Sequence, residues 1–234
     1  MYELYYWPGI PGRGEFIRLA LKEAAIPYRD VSLEDGGKAM QKLLDNMKNK
    51  HPSFAPPFLK TGRLMIGQTA NVLLFLGEKH NLAPRTETGR YWTHQLQLTI
   101  ADLVSEIHDA HHPLSMNLYY EDQKKEASKK TKELRTVRIP KFLDYFEAAL
   151  KHSGGPYLNG KKLSYADLSL FHLAEGLEYA FPKAFARYRK KYKSVIRLQK
   201  LVAGRPRIQK YLTSDRRQDF STNGIFRHYP ELDG

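Results

Sequence analysis

Tyr6 closes an aromatic run, Leu4-Tyr5-Tyr6-Trp7, that leads at once into Pro8-Gly9-Ile10-Pro11-Gly12-Arg13. A phenol at a strand end, held over a helix N-terminus, can donate a hydrogen bond to an anion or help ionise a thiol. Further along, Gln68-Thr69 opens a stretch with apolar residues at Val72, Leu73 and Leu76. A helix starting there offers unpaired amides and a positive dipole end, both suited to a carboxylate, although Thr69 would serve equally as a plain N-cap. His108 and His112 share a helix face beside Asp109, but no third ligand is indicated and no metal is expected.

Composition narrows what these groups can do. The 234-residue chain is long enough for one large or two small domains, with 41% apolar and 27% charged residues. It has no cysteine, so disulfides, thiolate metal sites and a cysteine nucleophile are excluded, and sulfur chemistry would need an exogenous thiol. The longest apolar run, Val72-Leu73-Leu74-Phe75-Leu76, is too short to span a bilayer, so no membrane partner is expected. The N-terminus has no basic segment leading into an apolar one, and a cytoplasmic setting is expected. The net charge of +13 raises the question of nucleic acid. Its clusters at Lys124-Lys125, Lys129 to Lys132 and Arg187 to Lys193 read as solvated helix faces without a base-reading motif, so no nucleic acid is expected.

The elements that must position the chemistry follow in order. Tyr2 to Trp7 reads as strand, and Gly14 to Ala25 as a helix with Ile17, Leu21 and Ala24 on one face. Tyr28 to Leu33 reads as a second strand, and an irregular helix follows around Met40 to Met47. Pro57 to Lys60 and Arg63 to Ile66 flank a Thr61-Gly62 turn and read as a hairpin. The order βαβ then ββα makes residues 1–80 an α/β unit. Asn81 to Gly89, polar with Pro and Gly, reads as a linker, and residues 90–234 as helical with a tail. There the spacing predicts helices from Gly89 to His111, from Glu121 to Lys151 with a kink at Pro140, and from Ser194 to Thr213 with a break near Pro206. Ser164 and Asp167 form a capping-box pair, with Leu163 and Leu168 at staple positions. The tail from Ser214, with Phe220, Ile225, Phe226 and Tyr229, is expected to pack over the body.

Together these pieces resemble the cytosolic glutathione transferase family, its tyrosine-type mu, pi and sigma classes, over nearly the whole chain. The resemblance rests on Tyr6-Trp7-Pro8 with Gly12-Arg13, on Pro57-Phe58-Leu59 with Ile66-Gly67-Gln68-Thr69, on Ser164-Tyr165-Ala166-Asp167, and on the late helix with its proline. It implies a thioredoxin-like N-terminal domain with a cis-proline at Pro57 and an all-helical C-terminal domain. It further implies a homodimer, glutathione as co-substrate and a small hydrophobic electrophile as acceptor. Tyr6 takes the place of the hydroxyl that stabilises the glutathione thiolate. Tyr5 competes for that place, but strand alternation sends the two to opposite faces; Tyr6 could also be a half-buried strand aromatic. By the same resemblance Trp7 lines the tripeptide site or packs, and Arg13 sits near the γ-glutamyl end or forms a surface ion pair. Gln68 and Thr69 receive the γ-glutamyl carboxylate. Lys48, nine positions before Pro57, takes the glycyl carboxylate, with Lys42 and Lys50 as alternatives. Asp102 reaches the γ-glutamyl amine across the dimer or is a solvated helix carboxylate.

Two departures from the family pattern stand out. The turn from Trp7 to Gly12 is one residue longer than in pi or mu chains, with Pro11 where those have arginine. Pro56 occupies the position whose backbone normally pairs with the cysteinyl part of glutathione, and proline has no N–H to donate. Conjugation of glutathione is therefore the expected reaction, with tripeptide binding weaker than usual. The rival readings are a glutathione-dependent isomerase or lyase and a non-catalytic binding protein of the same fold.

Overall fold

The computed structural model covers residues 1–234. Its sheet has four strands, β1 (Tyr2–Tyr5), β2 (Tyr28–Asp30), β3 (Phe58–Thr61) and β4 (Leu64–Gly67), in the order β2-β1-β3-β4. β1 runs parallel to β2 and antiparallel to β3, with Leu4 opposite Leu59 and Tyr5 opposite Phe58. Strand alternation then separates the side chains. Leu4 joins the main core with Phe16 and Ile17, whereas Tyr5 stacks on Phe58 in a small cluster with Val31 and Met40 on the other face.

Helix α1 (Gly12–Glu23) connects the parallel strands, and α2 (Val31–Asp35) and α3 (Lys38–Leu44) follow β2. The second strand is shorter than its sequence pattern suggests, ending at Asp30 rather than Leu33. There the carboxylate turns inward to the buried Arg18 guanidinium at 2.7 Å, and the chain enters α2. The hairpin forms as expected, closed by Gly62 at φ +57°, and the Pro56-Pro57 bond is cis. Helix α4 (Thr69–Lys79) completes this half.

Beyond it the chain is helical: α5 (Glu87–Asp109), α6 (Lys124–Glu133), α7 (Ile139–His152), α8 (Tyr165–Ala180), α9 (Pro182–Lys191), α10 (Lys193–Ala203), α11 (Pro206–Leu212) and a short terminal α12 (Pro230–Asp233). As expected from the sequence, one unbroken helical run extends from Lys124 to His152, α6 and α7 being continuous through a widened π-turn over Leu134–Arg138 just before Pro140. Pro140 lies inside this run, and the π-turn directly before it accommodates the proline's missing N–H. Residues 182–213, which form α9 to α11, carry eleven of the 38 basic residues and none of the acidic ones, so most of the charge excess lies in this segment.

α8 is the axis of the helical half, packed on α1, α5 and α10. Its start is fixed by the capping box: the Ser164 amide donates to Asp167 Oδ2 at 2.7 Å, while the Leu158 amide donates to Oδ1 at 2.7 Å. Burial pushes the Asp167 carboxyl up to about 6, opposed by these hydrogen bonds, so it remains a carboxylate at neutral pH. The tail packs over the body, with Ile225 and Phe226 buried and the Asp233 carboxylate accepting from the Lys183 and Ala184 amides at the head of α9. Asp167→Ala leaves two buried amides without an acceptor. It should lower the free energy of urea unfolding, followed by circular dichroism, by about 2–4 kcal/mol.

Candidate active site

Tyr6 follows directly after β1, and its ring lies against the first turn of α1. The approach is so close that a Cβ on Gly12 would sit 2.2 Å from the Tyr6 hydroxyl, and one on Gly14 would sit 2.6 Å from the ring. Gly12 also holds φ at +43°, a backbone shape that side chains resist. The space left by these glycines lets the Tyr6 hydroxyl reach a helix-head amide that would otherwise lack a partner: Arg13 N–H donates to Tyr6 Oη at 2.8 Å. Burial raises the phenol pKa. The Arg13 amide and the nearby Arg13 and Arg18 charges pull it back down. The hydroxyl thus accepts from the backbone and keeps its own proton to donate.

Beneath the ring is Arg18, fully buried, with its guanidinium 5.8 Å from the ring centroid. It pairs with Asp30 at 2.7 Å and Glu15 at 3.5 Å, and donates to the Pro11 carbonyl at 3.3 Å. The tail enters the same network. Arg217 pairs with the buried Glu15 and, at 3.1 Å, with Glu175 of α8. Tyr211 of α11 donates to Glu15 at 3.0 Å. Burial beside Glu15 and Glu178 moves the Glu175 carboxyl up to about 7 despite Arg217. On the far side of the turn, His172 of α8 approaches the Gly12 carbonyl at 3.3 Å.

A cleft of about 400 Å³ opens between the heads of α1 and α4 and one face of α5, lined by Arg13, Gln68, Thr69, His94, Gln97 and Ser105 among others. Gln68 is held at φ +66° just before α4, which turns the Thr69 end of the helix into the cleft. Thr69 Oγ1 is buried and unpartnered, as are His94 Nδ1 and Gln97 Oε1. A hydroxyl without a partner at a helix head, with Arg13 on the facing wall, is chemistry suited to a carboxylate.

Of the residues singled out by sequence, the structure brings Arg13, Gln68 and Thr69 into one cleft and ties Tyr6 to it through the Arg13 backbone. Tyr5 points away, as alternation requires. Trp7 is 44% exposed, Lys48 and Asp102 are exposed, and Pro56 is half-buried; none of the four lines the cleft. Asp102 lies on α5 beside the cleft residue Ala101. Sequence reasoning passed over Gln97 and His172. Gln97 is 1% exposed, a polar residue inside the buried stripe of Leu96 and Ile100, and that misplaced polarity was the available signal. His172 sits likewise in an otherwise apolar run of α8. No three His, Cys, Asp or Glu side chains are grouped to hold a metal ion, and no helix is long and apolar enough to cross a membrane.

The chain is similar to several known proteins. Residues 108–215 match the family model described as glutathione S-transferase, C-terminal domain. A glutathione S-transferase of Plasmodium falciparum is 24% identical over 218 residues, covering 90% of this chain and 94% of the relative. The class-mu 28 kDa isozyme of Schistosoma bovis is 27% identical, covering 88% and 91%. Among solved structures, a Pi-class glutathione S-transferase of Onchocerca volvulus superposes with a TM-score of 0.70 at 22% identity over 90% of this chain and 91% of that one. Prostaglandin synthase D of Nilaparvata lugens gives 0.69 at 23% identity over 92% and 98%.

The end of α5 holds the remaining titratable cluster. His111 is fully buried with neither ring nitrogen partnered, edge-on to Tyr229, and His108 and His112 lie with ring centroids 5.3 Å apart. Burial, then the Arg227 charge, lowers His111 to about 3; burial, then the Arg13 charge, lowers His108 to about 4. Folded-state values below the usual 6.5 mean that the unfolded chain binds protons the folded one refuses. Stability is therefore unaffected above about pH 6.5 and falls as the pH drops toward 3. At pH 5, exclusion of one proton from His111 costs about 2 kcal/mol. Denaturant midpoints measured from pH 7 to 5 should fall for the wild type and fall less for His111→Leu.

Proposed function

From its similarity to glutathione transferases, we propose that the chain is a member of that family and conjugates glutathione to a small hydrophobic electrophile, with Tyr6 as the catalytic hydroxyl. The observation that carries this reading is the bond from the Arg13 amide to Tyr6 Oη, which ties a buried, proton-bearing phenol to a residue that lines the cleft with Thr69. The thiol gives its proton to solvent, and the resulting thiolate accepts the Tyr6 hydroxyl proton in a hydrogen bond. Sulfur then attacks the electrophilic carbon, and the displaced electron pair leaves with the departing group or enters the conjugated acceptor.

The γ-glutamyl carboxylate docks at the α4 head on the Gln68 and Thr69 amides and the Thr69 hydroxyl, with Arg13 opposite. The cysteinyl backbone pairs with Pro56, which accepts but cannot donate, so this contact is one hydrogen bond short. Trp7 and Lys48 close over the tripeptide, Lys48 toward the glycyl carboxylate. A homodimer fits the exposed apolar side chains Phe54 (95%), Tyr91 (68%) and Leu98 (47%). Leu98 lines the cleft and Asp102 lies one helical turn further on, so a second copy seated there brings Asp102 toward its partner's γ-glutamyl amine. We read residues 1–80 and 90–234 as two domains around an 81–89 linker, and the protein as a cytoplasmic detoxification enzyme.

Steady-state kinetics with glutathione and an aromatic halide test the assignments. Tyr6→Phe should lower kcat about 10- to 100-fold while the KM for glutathione changes less than about threefold; an unchanged kcat removes Tyr6 from the mechanism. Thr69→Val should weaken glutathione binding about tenfold in calorimetric titration and leave kcat at saturation near wild type. Pro56→Val should tighten binding by about 2- to 12-fold, the value of one restored hydrogen bond.

A further inference from the structure

The Gly12 carbonyl and the Arg13 amide belong to one peptide unit. The amide donates to Tyr6 Oη at 2.8 Å, and the carbonyl oxygen of the same unit faces His172 Nε2 at 3.3 Å. A carbonyl can only accept, so Nε2 carries the ring proton and Nδ1 is a bare lone pair, in keeping with its lack of any partner. The ring is completely buried, and burial with the Arg217 and Arg18 charges lowers its pKa well below the usual value, so it stays neutral. Its orientation is set by aromatic packing. Phe16 of α1 meets it edge-on at 4.8 Å, Phe220 of the tail stacks parallel at 5.7 Å, and Phe226 closes the third side at 5.6 Å.

The structure assigns His172 as a positioning residue for Tyr6, acting through the Gly12–Arg13 peptide: Nε2–H donates to the carbonyl, the polarised amide donates to Oη, and the phenol donates to the thiolate. The catalytic role at the end of this chain rests on the transferase reading above. The relay through the peptide does not. A hydrogen bond received at a carbonyl oxygen draws electron density from the amide nitrogen and makes its proton a better donor, the usual source of cooperativity in such chains. The phenol that accepts from a stronger amide becomes in turn a stronger donor to sulfur. Because Phe220 and Phe226 hold the imidazole, the tail and α8 reach the reacting sulfur without touching it.

Two kinds of replacement separate donor from packing. His172→Gln places an amide nitrogen near the position of Nε2 and keeps the donor. His172→Phe and His172→Met remove it while filling the space with different shapes, which guards against one of them failing to fold. In the free protein, the Arg13 amide proton resonance should move upfield in the Phe and Met variants and stay near its wild-type position in the Gln variant. An Arg13 resonance unchanged in the folded donorless variants, or displaced equally in all three, overturns the relay. With glutathione, the acidic limb of the kcat/KM pH profile should rise by about half a unit in the donorless variants and return with Gln. In a Tyr6→Phe background the same replacements should leave the residual rate within about twofold, because their effect passes through the phenol. A displaced Arg13 resonance with an unmoved pH profile overturns the positioning role. Absence of thiol chemistry in the wild type sinks the transferase reading, and the amide resonance still decides the relay.

Discussion

An aromatic ring can lie close against the first turn of a helix only where the positions it meets have no side chain. Gly12 and Gly14 meet this condition, and the contact they permit between Tyr6 and the head of α1 organises the rest of the site. Without it the phenol could not reach the Arg13 amide, and that amide would be one of the unpaired donors every helix start must place somewhere. The same peptide offers its carbonyl to the helical half. A single peptide unit, bonded on both sides, thus joins the end of a strand, the start of a helix and the central helix α8.

The contact is supported from below by charges that are costly to bury and therefore paired with care. Arg18, Glu15, Asp30 and Arg217 all have side chains at most 10% exposed, and each has an opposite charge within 3.5 Å. Replacing such a group by an apolar one of similar volume can be neutral, whereas removing one partner strands the other. Arg18 thereby ties the turn, α1 and the end of β2 into one piece, and Arg217 adds the C-terminal tail. The sheet and the helical bundle cannot shift against each other without exposing this network or the Phe16, Phe220 and Phe226 cage around His172.

Local patterns were legible wherever a short stretch decided its own structure. The Thr61-Gly62 turn, the Ser164 and Asp167 capping box and the apolar stripe of α5 all depend on residues a few positions apart. Alternation along β1 separated Tyr5 from Tyr6 for the same reason. The readings that needed revision involve distant partners. Nothing near Asp30 announces that β2 must stop to meet Arg18. Gln97 and His172 carried a faint signal, polarity inside an apolar stripe, but periodicity does not say what such a group faces.

By itself, then, the order of residues determined the elements, the family pattern and the place of Tyr6 at a strand end, because these rest on dihedral preference and spacing along the chain. It also determined that Pro56 cannot donate, a matter of covalent structure. Only the tertiary structure decided that the Tyr6 hydroxyl would meet the Arg13 amide, that Thr69 would be left with a buried and unpartnered oxygen, and that His172 would close on Gly12 from 160 residues away. Those contacts are set by how α1, α5, α8 and the tail pack, and packing depends on the shapes of side chains brought together from the whole length of the chain.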